Sequence, residues 1–232
     1  METIPGLTKN DWIRPVDTCV SVVEKTVETV NNILYIQNQS GSWIRFDKNP
    51  GQWYHNFIFV TGKKEKTLLL IVEKLKDLSF SQLMDVYEEG NRENGEEFWP
   101  DLDPSQQMLR AEQEFYQYLQ QVFFPVEQAR YYIWEEKGHY VSALRLEPYR
   151  DGMLLEALET APSQRKKGYA VLLIQAVQGV CPDQKIYSHV SKRNSSSLRT
   201  HEKCGFQRIA ENAVYADGSV TNRSCTLCWE GK

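Results

Sequence analysis

Apolar positions keep two different rhythms along this chain, and the rhythm changes mark its elements. Val23, Val27, Val30 and Leu34 recur three or four apart, a spacing that predicts a helix from Thr18 to Ile36. Two strand-like runs follow, Trp43 to Phe46 and Trp53 to Val60, joined through Asn49-Pro50-Gly51, a turn sequence that makes them a hairpin. From Lys66 the segment KTLLLIVEKL is a short, nearly continuous apolar run, the signature of a buried strand. Ser79-Phe80-Ser81-Gln82 has the spacing of a capping box and predicts a helix start. Asp103-Pro104 predicts a second start, with a helix to Phe124 before Pro125 and a core side of Leu109, Phe115, Leu119 and Val122. Three strands come next, Tyr131 to Glu135, Tyr140 to Pro148 and Met153 to Ala161. The first two are separated by a Lys137-Gly138 turn, so an antiparallel meander is expected. After it the pattern predicts a helix ending near Val180, a strand from Lys185 to Val190, a short helix from Ser195 to Cys204, and two last strands around the hairpin dipeptide Asp217-Gly218.

The 232 residues, 41% hydrophobic, suffice for one large core. A formal charge of −4, with acids and bases mixed, gives no basic face for nucleic acid. No apolar run reaches the roughly 20 residues of a membrane span, and METIPGLTKNDW lacks the order of a secretory signal, so a cytoplasmic location is expected and no membrane partner. Five scattered cysteines suit reduced thiols better than a disulfide framework. Cys225-Thr226-Leu227-Cys228 looks like half a zinc knuckle, but no second pair exists and residues three apart on a strand face opposite ways, so no metal is expected.

The stretch SQRKKGYA, Ser163 to Ala170, sets Arg165, Lys166 and Lys167 before Gly168 and leads straight into the apolar run VLLIQAV. A helix amino terminus exposes unpaired N–H groups and a partial positive charge, and a glycine lets a ligand approach the backbone closely. The arrangement therefore suits a phosphorylated ligand, the alternative being three bases on a solvated loop. Neither the Walker pattern nor the dinucleotide fingerprint occurs.

Arg165-Lys-Lys-Gly168-Tyr169-Ala170 fits the [Q/R]-x-x-G-x-[G/A] signature and resembles the GNAT superfamily of acetyl-CoA-dependent N-acyltransferases, in which this loop binds the pyrophosphate of coenzyme A. Thr160-Ala161-Pro162 stands where that family has V-x-P at the end of its fourth strand. Asn194 to Phe206 resembles its second motif, an asparagine followed by a short helix ending in G-F. The resemblance covers about Lys66 to Trp229. It implies an α/β fold (an α+β mixed sheet): a central, mostly antiparallel sheet with one parallel pair, its fourth and fifth strands, flanked by helices. Residues 66–232 then form the acetyltransferase domain, and residues 1–65 an extension of unknown role. Lys166 departs from the pattern, replacing a glycine common after the arginine.

The resemblance implies cofactor contacts from Leu158, Glu159, Thr160, Arg165, Lys166, Lys167, Gly168, Tyr169, Ala170, Asn194 and Ser197, with the thioester polarised by backbone N–H groups around Leu158 to Thr160. Asn194 also reads as a helix cap, and Gly205 with Phe206 as the left-handed end of that helix and a packing residue. Acetyl transfer to an amine needs a base for the amine proton and an acid for the departing thiolate. Glu156 lies where many family members carry the base; its alternative is a structural carboxylate. Glu159, in a regular strand, points to the other face and reads equally as a surface carboxylate. The family's acid is often a tyrosine four residues before the glycine of G-F, and that position is His201 here. His189, on the fifth-strand segment, is the second imidazole; each is alternatively a satisfied core residue.

The segment from Glu88 to Asp103 holds seven acids and one arginine, which favours a cationic acceptor or is simply a soluble loop. The expected activity is acetyl transfer from acetyl-CoA to a primary amine by direct attack in a ternary complex. The alternative is a catalytically silent CoA-binding module acting as a sensor or interaction protein. A dimer is compatible with the sequence.

Overall fold

The segment expected to be helical up to Ile36 carries two strands, β1 (Val27–Val30) and β2 (Ile33–Gln37), paired antiparallel with Val30 opposite Ile33. The run is rich in β-branched residues, whose stiff side chains suit a pleated strand, and Asn31 and Asn32 separate the two strands in the sequence. Helical spacing of valines was therefore outweighed by their shape. The structure, a computed structural model, describes 27–30, 33–37, 43–47, 57–60 and all of 67–231. The expected start of the helix at Thr18 and the turn at Asn49-Pro50-Gly51 lie outside these residues. β3 (Trp43–Asp47) and β4 (Phe57–Val60) are antiparallel neighbours, as a hairpin requires.

β4 hydrogen-bonds to β5 (Thr67–Val72), which carries the sheet into the meander β6 (Arg130–Glu136), β7 (His139–Tyr149) and β8 (Gly152–Thr160). β8 then pairs in parallel with β9 (Ile186–Ser191), and β13 (Ser224–Trp229) and β10 (Gln207–Ala210) close the other side. Among the described residues this is one eleven-stranded mixed sheet, with the separate ribbon of β11 (Ala213–Val214) and β12 (Val220–Thr221) around Asp217-Gly218.

Helices cover both faces. α1 (Phe80–Val86), α2 (Glu88–Phe98) and α3 (Pro104–Tyr118) lie on one face, where Leu83, Leu119, Phe123, Tyr131 and Ile133 share a core. α4 (Tyr169–Val180) and α5 (Ser195–Lys203) lie on the other, with Leu173, Ile174 and Val177 packed on Leu144, Leu155 and Leu227. Cys225 and Cys228 fall in cores on opposite faces.

Two local expectations change. Ser79 does precede α1 but makes no side-chain cap, and Gln82 Oε1 instead accepts from the Tyr140 amide at 3.0 Å, tying α1 to β7. Asp103 caps α3 as expected, accepting from the Ser105 and Gln106 amides. The end of that helix widens into a π turn over Leu119–Phe123, with Phe124 N–H donating to Leu119 C=O. Such a turn shifts the inward position along the chain: Phe123 is buried while Val122 is more than half exposed. Leu109, in the regular part of the helix, is also more than half exposed, and Gln107 and Ala111 take the inward face there.

Candidate active site

β8 and β9 pair only from Met153 to Leu155 and from Ile186 to Ser188. Beyond that point β8 stays on β7 and β9 on β13, so the two strands part and their facing main-chain groups lose ladder partners. The parting coincides with a β-bulge: Arg145 faces Glu156 and Ala143 faces Glu159, leaving Leu144 opposite two residues, with Ala157 in the left-handed region at φ 49°. The bulge is anchored from the α1–α2 junction. Tyr87 Oη donates to the Ala157 carbonyl at 2.5 Å and receives the Tyr131 hydroxyl at 3.1 Å. Burial pushes the Tyr87 phenol well above its usual range and that of Tyr131 up to about 12, so both remain proton donors. Ser142 Oγ donates to the Glu159 carbonyl at 2.6 Å.

The loop from β8 to α4 brings the helix amino terminus to the carboxyl end of β8. Gly168 is the N-cap at φ 87° and offers no side-chain cap. The first helical bond runs from Leu172 N–H to Gly168 C=O at 3.1 Å, so the amides of Tyr169, Ala170 and Val171 have no intrahelical acceptor. A Cβ built on Gly168 meets no heavy atom within 4 Å, so the approach to these amides is open. Lys167 Nζ reaches Gln164 Oε1 at 2.7 Å, and Lys166 is in the left-handed region at φ 63°. Arg165 turns back: it donates to the Thr160 carbonyl at 3.3 Å and pairs with Glu89 of α2 and with Glu159. Tyr169 Oη donates to Glu136 Oε2. A diphosphate fits this open, cationic helix end.

Glu156 and His189 face the α1–α3 side of the sheet, while Leu158 packs on the α4 side with Tyr169. Glu156 Oε2 accepts from both Arg145 Nε and Nη2, at 3.3 and 3.2 Å, and the guanidinium lies 4.5 Å over the Tyr118 ring. Glu147 is half-buried beside them; burial and the nearby Glu156 charge raise its pKa, against the opposing pull of Arg145. Burial also raises Glu159, whose half-buried carboxylate lies beside Glu89 and Glu93 of α2 and pairs with Arg165. The bulge is the reason: it resets the alternation that a regular strand would keep.

The imidazoles have protein partners. His189 Nε2 faces the Val214 carbonyl at 3.1 Å and so donates to it, and Nδ1 lies 3.2 Å from Thr226 Oγ1. Thr226 also donates to Asn212 C=O, so this cluster ties the β11 ribbon to the sheet. His201 is 1% exposed, on the α4 side. Its Nδ1 donates to the Ser197 carbonyl at 2.8 Å, Phe206 stands edge-on at 5.0 Å, and Nε2 has no partner among the described residues. Burial lowers the pKa of both rings. Asn194 Oδ1 caps α5 through the Ser197 amide at 2.9 Å, leaving its NH₂ group as a donor. Gly205 ends α5 at φ 81°, and Phe206 N–H returns to His201 C=O.

The acids from Glu88 to Asp103 are partly engaged: Glu89 holds Arg165 and Asp103 caps α3. Sequence reasoning passed over Tyr87, Arg145 and Glu147. A cation inside the apolar strand Val141-Ser-Ala-Leu-Arg145-Leu was a usable signal, because a buried charge needs a partner. Tyr87 left no such mark.

The family model described as the acetyltransferase (GNAT) family matches residues 87–206. Among solved structures the chain resembles PH1933 from Pyrococcus horikoshii OT3, at 12% identity and a TM-score of 0.51, over 71% of this chain and 99% of that one. It also resembles the PaiA N-acetyltransferase of Thermoplasma acidophilum in complex with coenzyme A (11% identity, TM-score 0.45, 70% and 98% covered). A third is an N-acetyltransferase from Staphylococcus aureus Mu50 (13%, TM-score 0.46, 71% and 99%). No curated protein matches the sequence.

Proposed function

Because the chain belongs to the acetyltransferase (GNAT) family, we propose that it moves the acetyl group of acetyl-CoA to a primary amine by direct attack in a ternary complex. As a member it is an acyltransferase that uses acetyl-CoA. The observation that carries the finer reading is the uncapped first turn of α4 at the carboxyl end of β8, where β8 leaves β9.

When bound, the cosubstrate supplies an activated acetyl thioester. The amides of Tyr169, Ala170 and Val171, with Lys166 and Lys167, hold its diphosphate. The unpaired edge of β8 from Leu158 to Thr160, with the Asn194 side-chain amide, aligns the extended arm as an added strand would be aligned. Main-chain donors at the bulge after Glu156 would polarise the thioester, and Tyr87 fixes the bulge through the Ala157 carbonyl. On the opposite face the carboxylate pair Glu156 and Glu147 takes the amine proton. Arg145 offsets the charge of Glu156, and burial beside that charge raises the pKa of Glu147, which suits it to accept the proton. His189 holds the ribbon that walls this face.

A second reading, a silent CoA-binding module, draws support from one observation: His201, at the family's acid position, is buried and hydrogen-bonded to its own helix. A thiol-release assay with acetyl-CoA over an amine panel from pH 6 to 9 separates the two. Turnover with at least one primary amine is expected; tight acetyl-CoA binding by calorimetry without any turnover would establish the module instead.

A further inference from the structure

Beyond the end of β9 the surface sinks into a concavity of about 540 Å³ lined by Ser191, Lys192, Arg193, Asn222 and Arg223. Its floor is fixed by main-chain bonds: Lys192 N–H donates to Arg223 C=O at 2.9 Å and Asn194 N–H to Ser191 C=O at 2.9 Å. Three cations therefore share one hollow in a chain whose formal charge is −4. The acid in contact is Glu211, 3.5 Å from Lys192, largely exposed and shared with Arg208. Among the described residues Arg193 and Arg223 have no acidic partner. Like charges gathered this way repel one another, and an anion in the hollow would relieve that repulsion. Ser191 and Asn222 add a hydroxyl and an amide to the three cations, so the complementary group is an oxyanion.

The hollow caps the end of the β9–β13 ladder, and its Ser191 edge has a definite side. Side chains alternate along β9, so Ser191 points the same way as His189 and Tyr187, toward the face that holds Glu156 and Arg145. Asn222 and Arg223 sit between β12 and β13, at the base of the ribbon whose Val214 carbonyl binds His189. Two residues of strand separate His189 from Ser191, roughly 7 Å at about 3.3 Å each.

We propose that this hollow is an oxyanion subsite of the acceptor site, selecting amines that carry a carboxylate or phosphate at the end away from the reacting nitrogen. The proposal rests on the acetyl-transfer reading given above. In it the amine approaches from the Glu156 face while Arg193, Arg223 and Lys192 hold the far end of the same molecule by charge-assisted hydrogen bonds. The preferred acceptor is thus an acidic or zwitterionic amine, and not a polyamine.

The experiment compares kcat/KM for ω-aminocarboxylates, ω-aminoalkyl phosphates, and the uncharged carboxamides of the former, in the wild type and in Arg193→Glu, Arg223→Glu and the milder Arg223→Gln. Anionic acceptors should exceed their carboxamides by about tenfold or more in the wild type, as one or two charge-assisted bonds allow. That ratio should fall toward one in the glutamate variants and part-way in Arg223→Gln, while acetyl-CoA binding by calorimetry shows each variant to be folded. The carboxylate and phosphate arms decide which oxyanion fits. A ratio near one in the wild type, or one unmoved by all three variants, overturns the subsite. So does a loss confined to acetyl-CoA affinity that vanishes with the 3′-dephospho cosubstrate, which would assign the hollow to the cofactor. Absence of turnover with every amine would instead sink the acetyl-transfer reading itself.

Discussion

Tyr87 and Ala157 are 70 residues apart in the chain and joined by a 2.5 Å hydrogen bond, from the phenol at the α1–α2 junction to the carbonyl of the bulged residue of β8. The strained alanine at φ 49° is held by a side chain from another layer. Tyr87→Phe should therefore lower kcat more than it raises the KM for acetyl-CoA, because the bulge carries the polarising donors of the proposed mechanism and not the phosphate-binding amides. It leaves a partly buried carbonyl without its donor and should cost about 1–3 kcal/mol of stability. Steady-state kinetics with urea unfolding checks both; a pure KM effect would dissociate Tyr87 from the bulge.

Gly168→Glu should abolish acetyl-CoA binding in calorimetry, since it places a carboxylate at the end of α4 to which the proposed function assigns a diphosphate. Gly168→Ala separates charge from backbone. No atom lies within 4 Å of its added methyl, so only the left-handed conformation resists it, about 1–2 kcal/mol. Alanine should weaken binding measurably without abolishing it, and equal effects of the two substitutions would mean that backbone strain alone is responsible.

The carboxylate pair makes a signed prediction for the acid limb of the pH profile. A base works only when deprotonated, and Glu147 is raised by burial and by Glu156 and lowered by Arg145. Activity should thus fall, as the pH drops, at a value above the ordinary glutamate range. Glu156→Gln should move that limb to lower pH and reduce kcat, Arg145→Met should move it to higher pH, and Glu147→Gln should remove it, with kcat down about 10²-fold or more. A limb that stays fixed in all three variants would exclude Glu147.

His201 predicts a pH-dependent stability. Burial lowers its pKa in the folded chain below the unfolded value of about 6.5, so the unfolded state binds the proton first. Stability should decline as the pH falls below about 6.5, by up to about 1.4 kcal/mol per pH unit, until the folded-state pKa is reached. Urea midpoints at pH 7.5 and 5.5 should differ more in the wild type than in His201→Leu. An equal difference would show that other groups carry the dependence.

Much of the site was legible because its signals are local. Gly168 is the N-cap where SQRKKGYA predicted it, Asn194 caps α5, and Gly205 takes the left-handed turn before Phe206. Each follows from the chemistry of a few consecutive residues. The expected helix gave way to strands at Val27–Val30 and Ile33–Gln37 because three well-spaced valines and a leucine read alike in two periodicities, and the branching of the valines, not their spacing, suits the strand. Ser79-Phe80-Ser81-Gln82 failed as a box because Gln82 found a stronger claim in the Tyr140 amide, which no local pattern encodes.

By itself the sequence determined the membership of the family, the helix start behind Gly168 and most elements from β5 onward, but not α2, where it read an acidic loop, nor β10 and β13 as strands separate from the ribbon at Asp217-Gly218; what it determined are properties of adjacent residues and their periods. Tertiary structure alone decided that β8 bulges at Ala157, that Arg145 meets Glu156 across two strands, that Glu159 lies beside α2, and that His201 is buried while Lys192, Arg193 and Arg223 share a hollow. The physical reason is register. One extra residue in a strand reverses every side chain beyond it, and the partners that stabilise such a residue come from elsewhere in the chain, where no window of sequence can see them.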